Sequence, residues 1–389
     1  MKFNIQSACI AFATLCASSC YAADRFTITG YIPEVTDSLM ITLKNAERDG
    51  TRLARVYTTD GYFTLSDTVK MPSMCNLVIA RRGGKFNYFS TLASPRIMVE
   101  NADIKVTFAA GPDSLASAYV PETLMHAEGS KSHDEFVTYL HECLAAERRA
   151  GEAESIETKK YFSTEGNADT VAHYEKMSQL AEADLRAARR RFISSHPGFH
   201  ISAYLVLKEL NEPFTCTGED MARLVEMAKN CPDTARVRLI DRRYERAKRY
   251  CLCQKYADFN IEDANSITKP FSDYITPGKY TFIDFWASWC GPCRAAIPHV
   301  RKLHERYADR MDVYSISLDE NRDTWRKAMA AEKMEWTQLH ATKEQMKDVT
   351  TAYMIKAIPR LVLIDDRGRI VCSTSSPNVI DAYLEKNLK

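Results

Sequence analysis

The sequence predicts an α/β domain at its C-terminal end, preceded by a small β-rich domain and a helical segment. Three observations predict this order. Short β-branched and aromatic runs separated by turn signals fill residues 24–115, and helical periodicity dominates residues 125–253. Strand and helix patterns then alternate over residues 255–389. At 389 residues the chain is long enough for two or three domains.

The N-terminus has the pattern of a secretory signal peptide over residues 1–22. A single early lysine precedes an apolar core from about Ala8 to Ala17, and small residues follow. This core is shorter than the ~20 residues that a membrane-spanning helix needs. We therefore expect export to the periplasm or cell envelope, with cleavage after Ala22. Lipoprotein anchoring through Cys20 is the less favoured alternative, because Ala17 stands where such signals usually carry Leu.

The β-rich segment consists of short runs such as RFTITGYIP, SLMITLKNA and CNLVIARR. Turn signals at Asp60-Gly61 and Gly83-Gly84 separate some of them. This spacing predicts a small sandwich or barrel-like module. We find no catalytic constellation in it.

The middle segment shows apolar residues at helical intervals. In one long stretch they are Tyr174, Met177, Leu180, Leu185 and Phe192, and Pro197-Gly198 supplies a stop. The pattern predicts a bundle-like segment.

Charge and histidine patterns give no sign of nucleic-acid or metal binding. The 52 Lys and Arg residues balance 51 Asp and Glu residues, so no global field attracts nucleic acid. The run Arg189-Arg190-Arg191 is more typical of a solvated helix face than of a nucleic-acid patch. His133 and His141 lie two helical turns apart without a third ligand, which favours surface or core histidines over a metal site. We expect no metal and no cofactor.

Two cysteines, Cys290 and Cys293, follow a predicted buried strand and open a predicted helix. Three interpretations compete: a static disulfide, half of a zinc site, and a redox centre. A zinc site needs a second ligand pair, and the nearby candidate, Cys251-Leu252-Cys253, lies more than thirty residues upstream without a histidine pair. The helix N-terminus favours a thiolate at Cys290, and Pro292 is tolerated there because its missing N–H has no helical partner. These points favour a redox centre with Cys290 as nucleophile and the more buried Cys293 as resolving thiol.

The segment DFWASWCGPC, with Arg294 and Pro298 after it, resembles the active site of thioredoxin-like proteins, and more closely that of the exported TlpA/ResA branch. The resemblance covers about residues 255–389. It implies a thioredoxin-like fold and a thiol-disulfide oxidoreductase whose redox-active disulfide joins Cys290 and Cys293. Ser266 stands where this branch commonly has Gly.

The resemblance assigns roles to two further residues. Asp284 matches the buried acid of thioredoxin, and alternation along the strand places it on one face with Phe282 and Trp286. Such a carboxyl should have a raised pKa and could exchange a proton with Cys293; an exposed Asp on an edge strand is the alternative. Pro359 matches the cis-proline that faces the active site.

The resemblance also implies a substrate groove around the cysteines. It would leave the Ile358 backbone free to pair with substrate, with Trp289, Gly291 and Pro292 lining the groove. Arg360 departs from the Thr that often follows the cis-proline, which concerns partner preference.

The Gly-Pro pair between the cysteines is that of thioredoxin, which favours a reductase. The resemblance implies disulfide-containing protein substrates, with apocytochrome c as one candidate, and a membrane thiol-electron carrier of the DsbD or CcdA type. The alternative is a cell-envelope binding or redox-sensing protein whose thioredoxin-like domain is not a general reductase.

Seven cysteines outside the signal and the CxxC pair are an odd number, so we expect no disulfide framework. Cys251 and Cys253 could relay electrons, but ordinary thiols or a bridge from this pair to Cys231 are favoured. Cys372 should be a buried, small apolar residue.

Overall fold

The computed structural model describes residues 24–47, 50–82, 89–118, 120–161 and 168–388. The predicted signal segment, with Cys20, and the Gly83-Gly84 turn lie outside the described residues. Within the described ranges, no helix has both the length and the apolar character that a bilayer span requires.

The strands, numbered in chain order, are β1 Phe26–Tyr31, β2 Leu39–Asn45, β3 Thr51–Tyr57, β4 Tyr62–Asp67, β5 Ser73–Arg82, β6 Phe89–Ala93, β7 Arg96–Val99, β8 Asp103–Phe108, β9 Met125–Glu128, β10 Asn260–Asp263, β11 Thr268–Pro270, β12 Tyr280–Trp286, β13 Met311–Ser317, β14 Thr337–His340, β15 Arg360–Ile364 and β16 Ile370–Thr374. The helices are α1 Pro112–Ser117, α2 Lys131–Tyr161, α3 Ala168–Ser195, α4 His200–Asn211, α5 Gly218–Ala228, α6 Thr234–Ala247, α7 Gly291–Tyr307, α8 Arg322–Ala331, α9 Met346–Ala352 and α10 Pro377–Asn387. This order confirms the predicted fold class.

The β-rich part is a sandwich of two sheets that share one apolar core. One sheet has the order β4-β1-β8-β9, and the other has β3-β2-β5-β6 with β7 also paired to β5. Asp60 and Gly61 join β3 to β4 with positive φ angles of 51° and 81°, which a two-residue hairpin turn requires. Strand β9 was not predicted, because its four residues include none that is β-branched.

The five main helices of the middle segment, α2 to α6, surround a second apolar core. The apolar stripe of α3 is only partly buried: Leu185 and Phe192 lie in this core, whereas Met177 and Leu180 are exposed. His133 is a buried histidine whose Nδ1 accepts the Met98 N–H at 3.4 Å, and burial lowers its pKa to about 4. His141 is exposed.

The interpretation of Arg189-Arg190-Arg191 as a solvated face was wrong for its first two residues. Arg189 is buried and pairs with Glu147 and Glu182 at 3.5 and 3.4 Å. Arg190 Nε donates to Glu209 at 2.8 Å. Helix α3 lies between other helices of the bundle here, so its charged side chains find carboxylate partners inside. Arg191 alone is exposed.

The three parts contact one another through buried polar groups. The fully buried Arg236 of α6 pairs with Glu47 at 2.9 Å and so joins the helices to the sandwich. At the other end, the Tyr250 hydroxyl donates to the Thr351 carbonyl at 2.8 Å, and the Cys253 N–H donates to the Ile370 carbonyl at 2.8 Å. The helical segment is therefore anchored to both of its neighbours.

The C-terminal part is a seven-stranded sheet with the order β11-β10-β14-β13-β12-β15-β16. Strands β12, β13 and β14 are parallel, and β15 and β16 run antiparallel beside β12. Strand β12 is central, and its residues from Thr281 onward are all buried, as expected of a strand covered on both faces. Helices α7 and α10 pack on one face, and α9 packs on the other. The short strands β10, β11 and β14 and helix α9 were not predicted.

Candidate active site

The site lies where β12 ends and α7 begins. Cys290 is the N-cap of α7, with extended backbone angles (φ −82°, ψ 98°), and Pro292 lies in the first turn, where a missing N–H leaves no helical hydrogen bond unmade. The Cys293 N–H donates to Cys290 Sγ at 3.2 Å. The Cys290 sulfur therefore occupies the position that a capping oxygen usually takes, at the positive end of the helix dipole.

The two cysteines form a disulfide bond, with Cα atoms 5.3 Å apart. They are 4% and 2% exposed, so little of either sulfur meets solvent. The surrounding rim is open, because Gly291 and Pro292 are exposed and the Trp289 residue is 71% exposed. A partner can therefore approach the disulfide over an apolar and largely backbone surface.

The loop before Cys290 is held by a carboxylate that the sequence analysis missed. Asp319, just after β13, accepts the Ser288 N–H at 2.9 Å and the Ser288 hydroxyl at 2.5 Å. The Ser317 hydroxyl also donates to Asp319 at 2.8 Å. The position of Asp319 in the sequence could have indicated this role. Asp319 follows β13, a parallel neighbour of β12, and the C-terminal ends of the two strands lie side by side.

Asp284 is buried in the centre of the sheet, and the alternative of an exposed residue on an edge strand was wrong. Its partner in the β13 register is Ser315, whose hydroxyl donates to Asp284 Oδ2 at 2.9 Å. Trp336 Nε1 donates in turn to Ser315 Oγ at 2.8 Å. Burial raises the pKa of Asp284 to about 7, and the Ser315 hydrogen bond opposes this shift.

The face of β12 that carries Asp284 also carries Phe282 and Trp286, which pack in one cluster with Cys293. The carboxyl group thus points to the side of the sheet on which the active helix packs. It is a buried acid with a pKa near neutral pH, on the same side of the sheet as Cys293.

The Ile358–Pro359 peptide bond is cis, and β15 begins at the next residue, Arg360. In the antiparallel register Phe285 pairs with Arg360, so Pro359 lies at the end of the sheet where β12 leads to the cysteines. Ile358 is half-buried and packs against the cores on both faces.

The remaining cysteines are free thiols in the described residues. Cys251 and Cys253 are ordinary free thiols, as one of the two favoured interpretations predicts; the other, a bridge to Cys231, is not formed, and Cys251 contacts Cys216 instead. The Thr217 and Leu252 backbones form a parallel bridge, the Leu252 N–H donates to the Cys216 carbonyl at 2.9 Å, and the two thiols share a hydrogen bond. Cys253 is exposed, and Cys372 is buried, which raises its thiol pKa to about 12.

A search of the described part of the chain finds no group of three or more His, Cys, Asp or Glu side chains that could hold a metal ion. In particular, Cys251 and Cys253 lie outside the cluster that contains the disulfide.

Comparisons with known proteins agree with this geometry. Residues 278–370 match the thioredoxin-like family, and residues 26–136 match a domain of unknown function, DUF4369. A thioredoxin from Alicyclobacillus acidocaldarius is 38% identical over 68 residues, which are 18% of this chain and 60% of that thioredoxin. The thiol-disulfide oxidoreductase ResA of Geobacillus kaustophilus is 27% identical over 33% of this chain and 73% of its own length.

Among solved structures, the thioredoxin domain of a thiol-disulfide oxidoreductase from Bacteroides vulgatus is 26% identical. It covers 34% of this chain and 97% of its own, with a TM-score of 0.32.

The family match over residues 278–370 and the order of strands and helices both make the C-terminal domain thioredoxin-like. More particularly, this region is similar to thioredoxins and to thiol-disulfide oxidoreductases that include ResA. The curated relatives match between 13% and 33% of this chain, and the chain spans 60% of the thioredoxin named above.

Proposed function

We propose that the whole chain is an exported thiol-disulfide oxidoreductase that reduces protein disulfides through Cys290 and Cys293. One observation carries the proposal: the Cys290–Cys293 disulfide lies at a helix N-terminus, with the Cys293 N–H directed at Cys290 Sγ. A backbone donor and a helix dipole stabilise a thiolate at Cys290 once the disulfide is reduced.

The first step is attack by the Cys290 thiolate on a client disulfide. A bond forms between Cys290 Sγ and one client sulfur, and the other client sulfur leaves as a thiolate. The exposed rim of Trp289, Gly291 and Pro292 gives the client access. The Ile358 backbone, just before the start of β15, is the proposed pairing edge for an extended client segment.

The second step is resolution by Cys293. Its thiol passes a proton to the Asp284 carboxylate, through water, and its sulfur attacks Cys290 Sγ. The second client sulfur leaves as a thiolate and takes up a proton. Two electrons have then moved from the dithiol to the client, and the Cys290–Cys293 disulfide remains. With its pKa near 7, Asp284 can accept and return this proton at neutral pH.

Two features support the direction of electron flow: the Gly-Pro pair between the cysteines and the proposed location outside the cytoplasm. A thioredoxin-type dipeptide favours a potential near the ~−270 mV of thioredoxin rather than the ~−120 mV of the oxidant DsbA. An exported reductase needs electrons from across the membrane, which a thiol carrier of the DsbD or CcdA type would supply. Apocytochrome c is one candidate client.

The test is catalysis of insulin-disulfide reduction by the mature chain, with the Cys290–Cys293 potential measured against dithiothreitol buffers. Cys290→Ser should lower the rate by at least about a thousandfold, because no other described thiol occupies a helix N-cap. Cys293→Ser should accumulate a mixed disulfide between Cys290 and the client. Cys253→Ser, which removes an exposed thiol outside the site, is the matched control and should not change the rate.

Two results would contradict the proposal. A potential near that of DsbA would make the protein an oxidant. A rate no faster than that of free dithiothreitol, with an intact Cys290–Cys293 pair, would instead favour the binding or redox-sensing alternative.

A further inference from the structure

A polar cleft lies between the helical segment and the thioredoxin-like domain. Its volume is about 430 Å³, and both parts line it. Three of its side chains are cations, namely Arg186, Lys356 and Arg360, and one is a carboxylate, Glu212. Most of the other lining residues are neutral and polar. The cleft therefore has an excess of positive charge.

The cleft lies at the same end of the sheet as the disulfide. Strand β12 ends next to the start of β15 and the end of β16, since these strands are antiparallel neighbours. Arg360 begins β15 directly after the cis-proline, and Ser373 and Thr374 end β16. Arg360 pairs with Phe285, so its side chain lies on the face of the sheet that α9 covers, opposite the face that carries Cys293. A client segment that pairs beside Ile358 would therefore reach the cleft by passing around the start of β15.

Arg360 is the cation in this cleft that lacks a carboxylate partner. Its guanidinium forms no ion pair with an Asp or Glu among the described residues, and its Nε is buried without a hydrogen-bond partner. Its guanidinium carbon lies 5.2 Å from the centre of the Phe214 ring, which orients the planar group. Burial lowers the pKa of Arg360, and the more distant Glu212 opposes that shift.

The other two cations are already engaged, though weakly. Arg186 pairs with Glu182 on its own helix at 3.5 Å. The exposed Lys356 Nζ donates to the Asn211 carbonyl at 3.4 Å. Both contribute charge to the cleft, whereas Arg360 offers free donors.

We propose that this cleft binds a carboxylate-bearing segment of the client, with Arg360 as the principal contact. The inference rests on the proposed function and names its substrate class: protein disulfides with an acidic residue a few positions from the reacting cysteine. An arginine fork binds a carboxylate through two parallel hydrogen bonds, and a client cation at the same place would be repelled. Because Phe214 of the helical segment orients the Arg360 guanidinium, the helical segment contributes to the client specificity of the thioredoxin-like domain.

The test compares three disulfide-linked peptides of equal length, with Asp, Ser or Lys residues placed two to five positions from the cysteine. The wild-type protein should reduce the Asp peptide with a kcat/KM roughly tenfold above that of the Ser peptide, and the Lys peptide more slowly still. Arg360→Thr should bring the three values within about twofold. The preference should also shrink at high salt.

Arg367→Thr is the matched control. It removes the same charge from an exposed position in the loop at the opposite end of the β15–β16 hairpin, and it should leave the preference unchanged. Lys356→Glu repeats the test at an exposed position without disturbing the interior, and it should weaken the Asp preference.

Two readouts separate this inference from the proposed function. Versions of the peptides with Ser in place of Cys cannot react, so their dissociation constants measure the cleft alone. Equal affinities of the wild-type protein for the acidic and neutral versions would overturn the inference. Tighter binding of the acidic version, lost in Arg360→Thr, would support it even if reduction of a small neutral disulfide failed and the proposed function fell.

Discussion

Two pairs of cysteines are in contact within the described residues, Cys290 with Cys293 and Cys216 with Cys251. The first cysteine of each pair lies at a helix start, but the two positions differ by one residue. Cys290 is itself the N-cap of α7, and its Sγ accepts the N–H of the third residue along at 3.2 Å. Cys216 lies one residue before the N-cap of α5, where Thr217 Oγ1 accepts the Asp220 N–H at the same distance. The helix start therefore stabilises a sulfur in one case and a hydroxyl in the other.

The chemical surroundings follow from that shift. Cys216 and Cys251 are 4% and 0% exposed, and their mutual hydrogen bond, together with burial, raises the pKa of Cys216. The nearby Glu209 carboxylate raises the pKa of Cys216 further, and Arg190 opposes that shift. Two adjacent thiols are thus insufficient for a redox site. A helix N-terminus aimed at one sulfur and an accessible rim are also needed.

The largest expected effect concerns Asp284, the buried acid on the active-site face. Its pKa is about 7 in the folded state against 3.8 for the ordinary group. Below pH 4 the Asp284 carboxyl is protonated in both the folded and the unfolded state. Between pH 4 and 7 only the unfolded state ionises, so the domain loses about 4 kcal/mol of stability as pH rises through this range. Above pH 7 the loss is complete.

Asp284→Asn should abolish this pH dependence and stabilise the oxidised domain by about 4 kcal/mol at pH 8, with little effect at pH 4. Urea unfolding followed by tryptophan fluorescence measures this, because all four tryptophans lie in the C-terminal domain. The control is Asp366→Asn at an exposed position. If Asp284→Asn lost as much stability as Asp366→Asn between pH 4 and pH 8, Asp284 would not be a buried acid with a raised pKa.

A second experiment compares the two pairs directly. In the reduced protein at pH 7, Cys290 should react with iodoacetamide at least about a hundredfold faster than Cys216 or Cys251, because the N-terminus of α7 favours the Cys290 thiolate and reactivity follows thiolate character. Peptide mapping by mass spectrometry gives the rate at each cysteine. The exposed Cys253 reports the reactivity of an accessible thiol away from α7. If Cys216 in the folded protein were labelled as fast as Cys290, the position at the helix N-cap would not explain the difference between the two pairs.

The sequence carried the Cys290–Cys293 pair but not the contact between Cys216 and Cys251. Cys290, Cys293 and the strand and helix around them were predictable, because strand, Gly-Pro pair and helix pattern are contiguous in the chain. Asp284 was predictable from strand alternation together with the family resemblance. Contacts between segments that are distant in the sequence could not be predicted, because they leave no local pattern. Examples are the contacts of Asp319 with Ser288, of Phe214 with Arg360 and of Cys216 with Cys251. Burial of Arg189 was missed because charge alone does not show which helix covers it.

The smallest expected effect tests the buried pair itself. Cys216→Ala and Cys251→Ala should each lower the stability of the helical segment by about 1–2 kcal/mol through lost packing, without changing disulfide reduction. The double variant should lose less than the sum, by roughly 0.5–1 kcal/mol, because the two thiols share one hydrogen bond. Urea unfolding followed by far-ultraviolet circular dichroism gives the three values. Strict additivity would show that the thiols do not interact, and a loss of reductase activity in either single variant would make this pair a second redox centre.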